Sequence, residues 1–226
     1  MTTITPALFK FLRELKENNN RAWFQENKSR YEEDVKEPLL QFIRDFGIHL
    51  PEINENYTAE AKANGGSMFR IYRDIRFSKD KSPYKTAAAI QFRHIAGKDV
   101  HAPGFYLHLE PDSVFAGCGI WRPESKVAGK IRDAIVAKPD LWRTAVENDL
   151  FRASFRLEGE SLKRPPRGFD AEHPLIEDLK RKDFIGSTEL SEEIACADDF
   201  LQHYVDLCKA TSPFMQFLTE SLQLAW

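Results

Sequence analysis

Apolar residues recur at helical spacing at both ends of the chain and alternate with polar ones in its middle. Leu8, Phe9, Phe11, Leu12 and Leu15 share one helical face, with Thr5 placed as N-cap and Pro6 at the first helical position. Asn18-Asn19-Asn20 ends this helix and can cap a second over residues 21–36, where Trp23, Phe24, Tyr31 and Val35 keep mostly helical spacing. Pro38 is expected to interrupt it and to open a third helix bearing Leu39, Leu40, Phe42, Ile43 and Phe46, with Gly47 as its stop. Residues 50–66 read as a polar loop, with Gly65-Gly66 as a hinge or an anion-binding nest. Period-two alternation then predicts strands over residues 69–77, 84–92, 105–110 and 113–120, the last two joined by a Pro111-Asp112 turn. Gly117 and Gly119 in the last strand mark a bulge, a close approach or a ligand seat.

Val127, Ile131 and Ile135 predict a helix between Pro123 and Pro139. A shorter one, capped by Asp140, carries Leu141, Trp142, Val146 and Leu150. A strand over 151–157, a short helix over 173–181 and a strand over 182–187 follow. Phe200, Tyr204 and Leu207, then Phe214, Phe217 and Leu218, supply the core faces of helices over 195–209 and 213–224. The pattern is that of an α+β protein: a mainly antiparallel sheet packed by N-terminal and C-terminal helices. We see no internal repeat or linker, so residues 1–226 are expected to form one domain.

Composition narrows the functional classes. A formal net charge of −3 argues against a general nucleic-acid coat, which would be basic. Three scattered cysteines, Cys118, Cys196 and Cys208, favour free thiols in a reducing compartment. No apolar run is long enough to span a bilayer, and the first residues lack the basic start and apolar core of a signal peptide. The expectation is a cytoplasmic protein without membrane contact.

Against this acidic background, residues 70–85 are basic. Arg70, Arg73, Arg76, Lys79, Lys81 and Lys85 face only Asp74 and Asp80. Like charges this dense repel unless acidic side chains or a bound anion answer them. Arginine forks and lysine point charges suit a phosphate or carboxylate, with Ser78, Ser82, Tyr84 and Thr86 as further donors. The competing reading is an amphipathic strand whose charges are solvated or paired internally. Arg73 falls on the apolar side of the alternation, so it must pair with a carboxylate or be turned outward by a bulge.

The run RDIRFSKDKSPYKT, residues 73–86, resembles the hallmark of a widespread family of uncharacterised bacterial and fungal proteins, a domain-of-unknown-function family. The resemblance extends to Asn18-Asn19-Asn20-Arg21-Ala22-Trp23-Phe24, to the hairpin residues 104–109 and to residues 159–169. It implies an α+β domain. It brings no activity, cofactor or catalytic residue.

Common catalytic signatures are missing: there is no GxGxxG, no phosphate-binding P-loop, no GxSxG and no HExxH. No cofactor is implied. His101 and His108, with Glu110, form a weak metal or acid–base set across the expected sheet. Cys118 reads as a small core residue. A second basic stretch, Lys163, Arg164 and Arg167 around Pro165-Pro166, is stiff and extended.

The leading expectation is that the two basic stretches converge on an anionic small molecule, with phosphoester chemistry if the protein is an enzyme. The candidate ligand-binding residues are Arg70, Tyr72, Arg73, Arg76, Lys79, Lys81, Tyr84, Lys85, Lys163 and Arg164. Tyr72 or Tyr84 is expected to stack on a base or to position a leaving group. The alternatives are a protein-interaction or scaffold domain with internal ion pairs, and a groove for RNA or single-stranded DNA. Catalytic residues and oligomeric state are not legible.

Overall fold

A computed structural model describes residues 4–97 and 102–226. Helix α1 (Pro6–Glu17) begins at Pro6 with Thr5 in the N-cap position, although the Thr5 side chain makes no capping bond, and it buries Leu8, Phe9, Phe11, Leu12 and Leu15. The expected helix over 21–36 is broken into α2 (Arg21–Glu26), a single turn α3 (Lys28–Arg30) and a π-helical segment (Tyr31–Lys36). Pro38 does not end the run. The wide turn ahead of it, in which the Glu37 amide bonds Glu32 O five residues back, leads directly into α4 (Glu37–Ile53), and Pro38 occupies its first turn, where no amide donor is required. Gly47 does not stop α4 either. A Cβ there would lie 3.1 Å from that of Ala59, so glycine answers the close passage of the next segment.

Six strands build one antiparallel sheet in the order β1-β2-β3-β4-β6-β5. They are β1 (Tyr57–Thr58), β2 (Ala88–His94), β3 (Gly104–Glu110), β4 (Ser113–Ile120), β5 (Arg156–Glu158) and β6 (Phe184–Leu190). The loop expected over 50–66 therefore contains the end of α4 and edge strand β1. The β3–β4 hairpin turns where expected, with Asp112 at φ 65°. The strand expected over 151–157 is mostly helix: α7 (Asp149–Ser154) is capped by the Asn148 side chain, which accepts from the Phe151 amide at 2.9 Å, and β5 follows it.

Between β4 and α7 lie α5 (Ser125–Ala137) and α6 (Pro139–Glu147). Beyond β5 come α8 (Ile176–Leu179), α9 (Glu192–Ala195), α10 (Phe200–Ala210) and α11 (Ser212–Ser221). One face of the sheet carries Ile90, Phe92, Phe105, Leu107, Leu109, Ala116, Cys118 and Phe184, all buried. Helices α1, α4, α10 and α11 supply its cover, for example through Phe46, whose ring lies 4.2 Å from that of Phe92. The other face carries Gln91, Tyr106, His108, Glu110, Phe115, Gly117 and Ser187, neighbours by register and only partly buried. Among the described residues no helix is long and apolar enough to cross a membrane.

Candidate functional site

The expected strand over 69–77 is a broken ladder. Residues 67–73 run antiparallel to 83–91 along the edge of β2 that β1 leaves open. They are held by Gln91 N–Ser67 O (2.8 Å), Phe69 N–Ala89 O (2.9 Å), Lys85 N–Ile71 O (2.8 Å) and Arg73 N–Pro83 O (3.0 Å). Regular pairing reduces to two isolated bridges, Met68–Ile90 and Tyr72–Tyr84. Between these bridges one side advances four residues and the other six. The two surplus residues leave Thr86, Ala87 and Ala88 opposite Arg70 alone, a bulge of the kind that re-aims side chains at sheet edges. The alternation also fails as a face: Ile71 is buried, while Phe77 is 95% exposed.

The bulge is pinned from the helical layer. The three asparagines have three separate tasks. The Asn18 side chain donates to Glu14 O at 2.9 Å, and Asn20 caps α2 by accepting from the Trp23 amide at 3.0 Å. Asn19 reaches the bulge, donating to Tyr84 O (3.0 Å) and accepting from Tyr84 N (3.1 Å). Below it the Tyr84 ring stacks on Phe24, centroids 4.0 Å apart and planes 18° apart. Tyr84 is buried, with its ring already stacked on Phe24, while Tyr72 keeps an exposed ring.

A cleft of about 410 Å³ opens beside the bulge, lined by Lys16, Asn19, Arg73, Asp80, Ser82, Tyr84, Lys85, Thr86 and Ala87. Of the candidate cations, Arg73 and Lys85 reach it. Arg73 is answered by Asp80, which also accepts from the Ser82 amide (2.9 Å) and hydroxyl (2.6 Å). Those bonds, the Ser82 ones first, hold the Asp80 carboxyl well below the usual range. Arg76 closes on Asp74 at 2.7 Å out in solvent, and Lys81 donates to Ile75 O at 2.9 Å; neither lines the cleft. Arg70 and Lys79 are exposed.

Lys85 differs from the others. Its ammonium lies 5.2 Å from the centroid of Phe69, burial lowers its pKa first, and the positive charge of Arg70 lowers it further. Among the described residues it has no ion pair.

The cleft's far wall leads to the open face of the sheet. The Thr86 hydroxyl donates to Glu110 Oε1 at 2.7 Å. Glu110 Oε2 lies 3.4 Å from His108 Nε2, and His108 Nδ1 lies 2.9 Å from the Tyr106 hydroxyl. Phe115 stacks on the imidazole at 4.7 Å. Burial, then the Glu110 charge, pushes the Tyr106 phenol up to about 12. His108 and Glu110 therefore do meet, with Tyr106 as a partner the sequence reading lacked. His101 lies outside the described residues. No group of three or more metal-ligating side chains occurs among the described residues.

The two basic stretches do not converge. Lys163, Arg164 and Arg167 are exposed and follow β5. There Leu162 N bonds Lys180 O at 2.7 Å and Ser161 bridges Arg181. Residues 67–73 border β2 at the opposite side of the sheet. Four strand spacings separate β2 from β5, about 20 Å at ~4.8 Å per strand. The depression nearest the second stretch, about 490 Å³, is lined instead by Arg122, Arg132, Glu160, Lys182 and Asp183. Most of its polar groups are already partnered. Lys182 pairs with Glu160 at 2.9 Å, buried Asp183 accepts the Arg122 and Glu160 amides, and Arg132 donates to Leu179 O and Arg181 O.

The members of the cleft that sequence reasoning missed are Lys16 and Asn19. The asparagine run was a visible signal, but its reach to Tyr84, 65 residues away, was not.

Fold and site together define an α+β protein with helices over one sheet face and a bulged basic excursion along one edge. The chain belongs to the family described as conserved hypothetical protein (DUF2461), whose profile matches residues 7–217. No curated protein and no solved structure gives a match.

Proposed function

We propose that the cleft at the bulge binds a small phosphorylated or otherwise anionic ligand. The observation that carries this reading is Lys85, a partly buried ammonium with a second cation beside it and no carboxylate partner among the described residues. A charge taken from water without a counter-ion is unfavourable, and an anion in the cleft would supply one. Lys16 adds positive charge, Arg73 adds a guanidinium already paired with Asp80, and the Ser82 and Thr86 hydroxyls add polar contacts. Arg70 supports the field from outside. Arg76, Lys79, Lys81, Lys163 and Arg164 drop out of the ligand shell.

The test is titration of the protein with inorganic phosphate by calorimetry or by NMR of lysine side chains. Saturable binding that is lost in Lys85→Met and kept in Arg76→Ala supports the reading. Equal binding by both variants overturns it.

One observation favours a second reading, a protein-interaction domain. Phe77 is almost wholly exposed on the tip of the excursion, with the Arg76 guanidinium 5.8 Å from its ring centroid. Loss of a partner in Phe77→Ala with unchanged phosphate binding would support it.

A further inference from the structure

Resting on the anion-binding reading, we propose that Thr86, Glu110 and His108 are a nucleophile, base and orienter, and that the cleft transfers a phosphoryl group through the Thr86 hydroxyl. The diagnostic geometry for such a set is a hydroxyl within hydrogen-bond reach of a base that a third group holds in place. Thr86 Oγ1 lies 2.7 Å from Glu110 Oε1, and Glu110 Oε2 lies 3.4 Å from His108 Nε2. Thr86 also lines the cleft beside Lys85, Arg73 and Lys16. Because its proton points to Glu110, a lone pair is left for an electrophile in the cleft.

The tautomer follows from the network. Tyr106, kept a neutral phenol by burial, donates to His108 Nδ1, and Nε2–H then donates to Glu110. Phe115 from β4 and Ala89 from β2 flank the imidazole, so its orientation is held by packing as well as by hydrogen bonds. The bulge explains why Thr86 is there at all: two surplus residues swing it out of the ladder toward the end of β3.

In the first step Thr86 Oγ bonds to phosphorus, the phosphorus–oxygen bond to the leaving group breaks, and the Thr86 proton passes to Glu110. The leaving oxygen takes a proton from water where it needs one, and Lys85 and Arg73 balance the charge on the phosphoryl oxygens. In the second step the resulting hydroxide, or water itself, attacks phosphorus. The Oγ–phosphorus bond breaks, and Glu110 returns the proton to Thr86. The net change is hydrolysis of a phosphoester or phosphoanhydride.

The probe is acetyl phosphate, whose acetate departs without protonation. The full chain is incubated with it, quenched in acid and mapped by mass spectrometry. One phosphoryl group on Thr86 is expected, kept in Thr86→Ser, lost in Thr86→Val and formed on the order of a hundredfold more slowly in Glu110→Gln. His108→Gln is expected to change the pH profile of labelling, a readout that a merely structural role leaves alone. Circular dichroism and melting establish that each variant folds. If wild-type protein binds inorganic phosphate yet acquires no label, or acquires it elsewhere, the inference falls and the binding reading stands. If phosphate does not bind, both fall.

Discussion

The side-chain amide of Asn19 makes both backbone hydrogen bonds of Tyr84, donating to its carbonyl at 3.0 Å and accepting from its amide at 3.1 Å. It takes the place of a neighbouring strand at a point where the ladder has lost register. Two backbone groups that would otherwise be left without a partner are satisfied by one side chain, and the cleft wall is tied to the α1–α2 junction.

Asn19→Ala should therefore cost about 1–3 kcal/mol, the range for orphaning partly buried polar groups. In a chain of this size that corresponds to a fall in melting temperature of roughly 2–4 °C per kcal/mol. Asn19→Asp keeps the acceptor, loses the donor and sets a carboxylate against Tyr84 O, so it should also destabilise. Both variants should weaken phosphate binding, because the bulge is positioned by this contact. Melting and phosphate titration on the same samples check the pair of effects.

A second prediction concerns pH. Burial first, and Arg70 second, lower the Lys85 pKa from its ordinary 10.5. Between the folded value and 10.5 the unfolded chain holds more protons than the native one, so stability attributable to this group rises with pH. Below the folded value the whole penalty of holding the ammonium there is present. Lys85→Met removes that penalty. Its advantage over wild type in chemical denaturation should be largest at neutral pH and shrink as pH climbs toward 10.5. Phosphate added at neutral pH should raise the Lys85 pKa, visible in the side-chain NMR shifts.

Sequence patterning was sufficient where local rules and tertiary packing agree. Leu8, Phe9, Phe11, Leu12 and Leu15 marked α1, and Pro111-Asp112 marked the hairpin turn. It failed where a remote contact overrides the local signal. Gly47 sits inside α4 because Ala59 passes close to it. The helix at Phe151 was missed for a different reason, a local one: the Asn148 cap outweighs a weak alternation. The alternation at 69–77 was real, but a register shift of two residues decided which side chains are buried, and nothing local reveals such a shift. The cation cluster was legible, and so was the option that Arg73 finds a carboxylate. Which cation lacks one was not, because that depends on the three-dimensional neighbours of Lys85.

The cysteines give a third prediction. Cys118 and Cys208 are buried and Cys196 is partly exposed. Burial pushes the Cys118 thiol up to about 12 and raises the other two as well. A thiol reagent that reads thiolate should modify Cys196 slowly in the native protein and leave the other two untouched, then react with all three in denaturant. Fast native labelling of Cys118 would mean that the sheet–helix interface opens.

The glycines of β4 separate conformational need from open space. Gly119 has φ +107°, and a Cβ there would stand 2.1 Å from Phe184 O, so Gly119→Ala must distort the β4–β6 pairing. Gly117 faces the open side of the sheet, and a Cβ there would meet nothing closer than Gly186 O at 3.7 Å. Gly117→Ala should be close to neutral, since ordinary van der Waals contact replaces empty space, while Gly119→Ala should cost on the order of 1–3 kcal/mol or more. Thermal melting distinguishes the two. The comparison also bears on the ligand. Gly117 lies beside Tyr106 across the β3–β4 ladder, outside the cleft lining, so Gly117→Ala should leave phosphate binding at Lys85 unchanged. A loss of binding in that variant would move the anion from the bulge to the glycine floor of the sheet.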